Sequence, residues 1–428
     1  MDIAPIIIAY FMPLGILFIA WGSWADERVR QQAASAVWAL ALAVMAYVAI
    51  GFAFNFGGVG LRLDVPGGLR GLDRMWSPIG GAAGRNWGVI GVEGYLLNAQ
   101  SARPGDLALL FTQFLHQLPL VMAAALIPAL ALADRVRLLT ISIITVITAG
   151  GLVPLLNAWA WGGGWLFMLG RDARFGHGFI DLGGAATTLT TAGFIALAAL
   201  LALRVRRAAP PIQSRDGSPI KSIAGAMFVL IGWLAWLTTD PILQVNRSID
   251  LALAATNLLL SGAASAAIAT VYGWFTTGRP DAAWSARGLV GGLIAATAGA
   301  AFVPTWAALA IGAVAGLWMP IGWHAIERGL KLDDASGFVA MTGFAGLWSM
   351  LAVGLLADGT YGAGWNGIGV AEYLGVSGQG ITGLLAAANL QNDPGQMSAQ
   401  LTGALAVVAV AFSVTWLALR PFRRSRAV

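Results

Sequence analysis

The chain has 428 residues, 58% of them hydrophobic and only 11% charged, against about 25% charged in a soluble domain. Most of its length must therefore face something other than water, which points to a polytopic membrane protein. The absence of cysteine excludes disulfides, a thiol nucleophile and thiolate metal sites, and the net charge of +5 reads as basic cytoplasmic loops rather than a nucleic-acid surface.

A bilayer crossing takes about 20 apolar residues. Eleven segments meet that length: 4–24, 33–55, 107–132, 138–160, 179–203, 222–242, 249–275, 286–303, 306–326, 335–357 and 398–419. They are continuously apolar rather than alternating, so the fold class is an all-α helix bundle and not a barrel. Residues Met1 to Pro5 lack the basic region of a secretory signal, so the first segment is expected to remain as a span. Segments 56–105 and 358–397 are rich in Gly, Asn and aromatic residues and are expected to fold over the outer mouth.

The loop at 204–221, with Pro210-Pro211 and a basic cluster, divides five spans from six. Five spans on each side of one cytoplasmic loop have opposite topologies, the arrangement of an inverted repeat. The expected organisation is one membrane domain over 1–428, with pseudo-repeats 1–205 and 222–357 and a last helix at 398–419. With the N-terminus outside, seventeen of the 25 Lys and Arg fall on cytoplasmic connections and eight on outer ones. That bias gives an N-out, C-in orientation.

The stretch from Trp159 to Leu189 concentrates the unusual residues. A membrane-length segment ends in Trp161-Gly162-Gly163-Gly164-Trp165, and after a polar loop the next begins with Asp181-Leu182-Gly183-Gly184. An acid at a membrane-helix edge is costly and caps, pairs or meets a substrate. At a helix start Asp181 can accept free backbone amides, so it is assigned to shaping the mouth with Gly183 and Gly184. Two small-residue stretches, 183–193 and 338–346, carry threonines that either line a shared interior or pack as ordinary Gly/Ala helices. His116, His177 and His324 have no metal-ligand spacing. His177 reads as a solvated loop residue and His324 as interfacial. His116, beside Gln117, reads as packed or hydrogen-bonded, or as part of a pH-sensitive mouth. No nucleophile triad or phosphate loop stands out, so neither an enzyme nor a cofactor or metal site is expected.

Four motifs in order carry a family resemblance: Ala131 to Arg137 (ALADRVR), Trp161 to Trp165 (WGGGW), Asp181 to Gly184 (DLGG) and Leu330 to Phe338 (LKLDDASGF). Over nearly its full length the chain resembles the ammonium transporter/Rhesus family. The resemblance implies a homotrimer with one narrow hydrophobic pore per subunit and inward passage of ammonium or ammonia. It further implies that the family's two pore histidines are replaced by Thr188 and by Thr342, which precedes Gly343. The acid five residues before the second histidine is replaced by Gly337. The stacked phenylalanines become Leu120 and Trp236. The outer tryptophan is kept as Trp161, and a small hydroxyl residue becomes Asp240, for which Arg247 is an alternative ion-pair partner.

Ammonium is compact and strongly hydrated, so a dry pore resists it by several kcal/mol. Aromatic faces can hold it at the mouth, and an imidazole can relay its proton. A threonine hydroxyl hydrogen-bonds but does not titrate usefully. Two readings follow. In one the chain passes ammonia, or a related small neutral solute, across a cytoplasmic (inner) membrane, with Trp161, Trp236 and Asp240 at the mouth and Thr188, Thr342 and Leu120 along the pore. In the other it is a non-conducting sensor or interaction protein with a separate regulatory partner. In both its surroundings are lipid, and nucleic acid is not a partner.

Overall fold

Apolar runs with polar caps become long helices in the computed structural model, which describes residues 3–24, 26–79, 87–98, 107–133, 135–205, 218–246, 248–334 and 336–424. The frame is α1 (Ala4–Gly22), α2 (Gln32–Leu61), α3 (Leu107–Leu132), α4 (Leu138–Ala173), α5 (Leu182–Ala202), α6 (Pro219–Thr239), α7 (Leu251–Thr277), α8 (Ala282–Thr297), α9 (Thr305–Gly329), α10 (Val339–Leu356) and α11 (Pro394–Phe422). All but α8, ten helices among the described residues, are long and apolar enough to cross a membrane. The expected span at 286–303 is instead a 16-residue helix followed by turns. The cause lies in α7: Asn257 Nδ2 donates to the carbonyls of Ala300 and Val303, both at 2.8 Å, and so satisfies backbone that has left the helix.

Helix starts follow from local chemistry. Asp250, Asp281 and Asp393 each accept backbone amides at the heads of α7, α8 and α11, and Ser218 does so for α6. Segment 138–160 continues beyond its expected end: α4 breaks at 161–164, where the glycine run cannot sustain a helix, and resumes over Trp165–Ala173. The apolar residues Phe179 and Ile180 were expected inside the fifth span but are extended, and α5 begins only at Leu182. Wide π turns interrupt α2 (Tyr47–Gly51) and α4 (Ile147–Leu152), end α9 (Ala325–Gly329) and open α10 (Val339–Phe344).

In the packing, α1 lies along α6, α5 crosses α10, and α3 and α11 flank α5. The helices α7, α8 and α9 form a tight group, with Gly292 and Gly312 against the Ser261 carbonyl. The connecting segments hold the described strands, two short antiparallel hairpins. One pairs β1 (Met75–Trp76) with β2 (Ile90–Gly91), and the other pairs β3 (Glu372–Tyr373) with β4 (Val376–Ser377). Both segments gather at one end of the bundle. There Arg62 reaches Trp161, and Asn366 Nδ2 donates to the Phe167 carbonyl at 2.9 Å. We call this the loop end.

Candidate functional site

Near the loop end, α3 turns a polar stripe inward. Gln113, His116, Gln117 and Leu120 follow the helical i, i+3, i+4, i+7 spacing, and all are buried. Pro119 has no N–H for the Leu115 carbonyl one turn back, and the Tyr10 hydroxyl of α1 donates to it at 3.2 Å. His116 stacks on Trp236 with ring centres 5.2 Å apart. Its Nε2 lies 2.8 Å from the Trp236 carbonyl, in the last turn of α6 where carbonyls lack helical donors. A carbonyl only accepts, so Nε2 carries the hydrogen and Nδ1 holds a lone pair. That Nδ1, and both amide atoms of Gln113, Gln117 and Asn157, have no hydrogen-bond partner among the described residues.

Asp240 ends α6 beside this stripe. Its Oδ1 accepts the amides of Ile242 at 2.8 Å and Leu243 at 3.2 Å, while the buried Oδ2 has no hydrogen-bond partner among the described residues. Arg247, its alternative partner, lies outside the described residues.

The Asp181 segment is held by α11. Gln396 accepts the His177 amide at 2.9 Å and donates to the Gly178 carbonyl at 2.8 Å. Gln400 accepts the Ile180 amide at 2.8 Å and donates to the carbonyls of Ile180 and Met350. These two glutamines do for residues 177–180 what a neighbouring strand would do. His177 is accordingly buried, not solvated as expected, and its ring centre lies 4.4 Å from that of Tyr373. Asp181 then receives the amides of Ala186 at 3.1 Å and Thr187 at 2.6 Å at the head of α5. Gly183 and Gly184 make the turn between them at φ of 66° and 71°. A Cβ on Gly183 would meet the Trp236 ring at 2.3 Å, and one on Gly184 would meet Asn157 Oδ1 at 1.7 Å. The glycine pair thus admits both side chains to this turn.

Trp161 already faces a cation. The Arg62 guanidinium sits 4.2 Å from its ring centre, donates to its carbonyl at 2.6 Å, and grips Asp64 through two hydrogen bonds at 2.8 and 2.6 Å. Asn246 Nδ2 adds a third bond to Asp64 at 2.9 Å.

The residues seen to meet at the α5–α10 crossing are Gly193 with Thr342 and Thr190 with Gly346. A Cβ on Gly193 would lie 2.8 Å from Thr342 Oγ1, and one on Gly346 would lie 2.2 Å from Thr190 Oγ1. These contacts fix the α5–α10 crossing. Thr188 is five residues from Gly193, about 140° around an ideal helix from that contact. It lies one turn on from Gly184, on the side of Asn157. Thr342 Oγ1 donates to its own helix at the Phe338 carbonyl, 2.8 Å away. The carboxylate missing at Gly337 is supplied three residues earlier. Buried Asp334 accepts the amides of Phe338 and Val339, both at 3.0 Å, while Arg287 lies over Gly337, where a Cβ would meet it at 3.3 Å.

Comparison with known proteins identifies this architecture. The profile of the Ammonium Transporter Family matches residues 3–421. The chain belongs to that family. It is 31% identical over 292 residues to ammonium transporter Amt2 of Archaeoglobus fulgidus, covering 65% of this chain and 60% of that one. It is 30% identical over 285 residues to a putative ammonium transporter of Synechocystis, covering 63% and 60%. The chain thus spans about 60% of the length of these curated relatives. Among solved structures, a protein titled Sensor Amt Protein superposes with a TM-score of 0.76 at 21% identity, covering 100% of this chain and 93% of that one. Candida albicans Mep2 superposes with 0.70 at 19%, covering 100% and 87%. Such identities show the fold.

Set against the family pattern, sequence reasoning missed Arg62, Gln113, Asn157, Gln396 and Gln400. The Gln113-His116-Gln117 spacing was a usable signal, since three polar residues on one face of a membrane helix are expensive unless that face is used. Arg62 and Asn157 gave no local signal, because each gains its meaning only from a distant partner.

Proposed function

We propose that this ammonium transporter family member is a channel that takes ammonium at the loop end and passes ammonia across a cytoplasmic (inner) membrane. The observation that carries the reading is a family match over residues 3–421 joined to a buried polar stripe of His116, Gln113, Gln117, Trp236 and Asp240. The desolvated cation meets the Trp236 ring, worth about 0.5–2 kcal/mol, and Asp240 Oδ2, which has no hydrogen-bond partner among the described residues. Trp161, engaged by Arg62, shapes the vestibule wall. Leu120, Thr188 and Thr342 line successive levels below, where ammonia needs only weak hydrogen-bonding surfaces. The working unit in this reading is a homotrimer with one pore per subunit, N-out and C-in. Counting α8 as a span makes eleven, with inverted halves 1–205 and 222–357. Helices five apart in order, α1 with α6 and α5 with α10, lie together, as such a repeat requires.

Stopped-flow measurement of vesicle pH after an ammonium jump tests this reading: reconstituted protein is expected to speed internal alkalinisation over empty vesicles, and equal rates would sink it. A second reading has its own support. The α5–α10 crossing pairs Thr190, Gly193, Thr342 and Gly346, none able to carry a proton near neutrality, and one fold neighbour is titled a sensor. A non-conducting sensor with a separate regulatory partner would give no flux and would bind ammonium at the same mouth.

A further inference from the structure

His116 is a buried imidazole with a fixed tautomer and a spare lone pair. Trp236 takes the Nε2 hydrogen, which leaves Nδ1 with its lone pair and without a hydrogen-bond partner among the described residues. Four further unpartnered amide atoms, on Gln113 and Gln117, stand on the same helix face. Buried polar atoms are as a rule matched by protein or by water, so five on one helix face call for a partner. The two amide oxygens and the ring nitrogen form an accepting surface for a small solute rich in N–H donors, and the two amide nitrogens can donate to its lone pair once it is neutral.

The charged and titratable groups around the ring are few. Asp240, from α6, acts on it electrostatically. From α1 the Tyr10 hydroxyl is committed to the Leu115 carbonyl, and from α2 Tyr47 stacks on Phe114. At the head of α5, both oxygens of Asp181 hold backbone amides. Asp240 is thus the carboxylate left to balance a positive ring.

We propose that His116 Nδ1 is the proton acceptor for ammonium in this chain, a base placed at the mouth where the threonines of α5 and α10 supply none. This deepens the transport reading above and rests on it. Ammonium donates one N–H to Nδ1. That N–H bond breaks with its electron pair left on nitrogen, giving ammonia, and the Nδ1–H bond forms. The imidazolium is held by Asp240 on one side and by the Trp236 carbonyl on the other. Ammonia moves on past Leu120. The proton has no carrier at the Thr190, Gly193, Thr342 and Gly346 crossing, so it returns from Nδ1 to water on the mouth side.

The test uses His116→Gln, whose amide can still donate to the Trp236 carbonyl but has no basic lone pair. In vesicles the flux is expected to fall about tenfold or more, and the pH dependence of the wild-type rate is expected to disappear. Flux and pH profile equal to wild type would overturn the proposal while leaving transport intact. Wild-type flux equal to empty vesicles would overturn the transport reading itself. An independent measurement covers a variant that fails to fold. With only three histidines in the chain, ¹⁵N-imidazole spectra of the wild-type protein in nanodiscs can be followed on adding ammonium chloride. One Nδ1 signal is expected to move towards the protonated form, and no response from any histidine would contradict the proposal.

Discussion

The Arg62 guanidinium lies 4.2 Å from the Trp161 ring centre and donates to that residue's carbonyl at 2.6 Å. A protein cation thus sits where the sequence alone suggests a substrate cation. The same side chain grips Asp64 through two bonds, so the pair fastens the first outer segment to the end of α4. Breaking one partner of a buried ion pair leaves the other charge uncompensated and costs about 3–5 kcal/mol. Arg62→Met is therefore expected to lower the unfolding temperature in detergent strongly. Adding Asp64→Asn is expected to recover part of the loss. A double variant no more stable than Arg62→Met alone would show that the ion pair is not what matters.

At the head of α5, Gly183 makes room for Trp236 and turns at positive φ. Gly183→Val adds a clash and a strained backbone together, each costing about 1–3 kcal/mol. The expected outcome is a destabilised protein with altered tryptophan emission. Unchanged emission and unchanged melting would remove the glycine from this role.

The glutamines of α11 give a separate expectation. Gln400 Nε2 donates to Ile180 and Met350, and its Oε1 takes the Ile180 amide. Gln400→Leu strands those buried backbone groups at about 1–3 kcal/mol. Hydrogen exchange should rise at Ile180 and at the first turn of α5, which Asp181 caps. Exchange confined to α11 would contradict the link.

Two buried groups outside the spans oppose each other in pH. Burial pushes the Asp334 carboxyl up to about 6 from 3.8, against the Val339 amide, the Arg287 charge and the Phe338 amide. Between those values the folded chain keeps a proton that the unfolded chain has lost, so stability falls as pH rises from about 4 to 6, by about 3 kcal/mol. Burial pushes the His177 ring down to about 4 from 6.5. There the unfolded chain holds the extra proton, so stability rises over about pH 4 to 6.5 by a similar amount. Melting temperatures across this window should rise more steeply with pH in Asp334→Asn and fall with pH in His177→Asn. Parallel curves for the two variants would refute the opposed signs.

Much of the bundle was legible in the sequence because bilayer length and apolar continuity are local properties. The α3 limits at 107 and 132 were read as they stand, since the polar residues on each side end the run. The shortening of α8 was not legible, because Asn257 on another helix claims the Ala300 and Val303 carbonyls. Nor was the extended run at Phe179 and Ile180, apolar like a helix, in which the Phe179 amide bonds the Leu166 carbonyl and Ile180 bonds Gln400, 220 residues away. In the candidate site, residue type singled out Asp181 and the family resemblance singled out Trp236 and Asp240, whereas the residues that meet at the α5–α10 crossing depended on which face of each helix packs.

The central claim is that the cation loses its proton at the His116 mouth and crosses as a neutral molecule. The most direct measurement pairs intravesicular pH with current on a solid-supported membrane during the same ammonium jump. Alkalinisation faster than in empty vesicles with no protein-dependent current is the expected result. A sustained inward current would contradict it, because charge would then be crossing with the substrate.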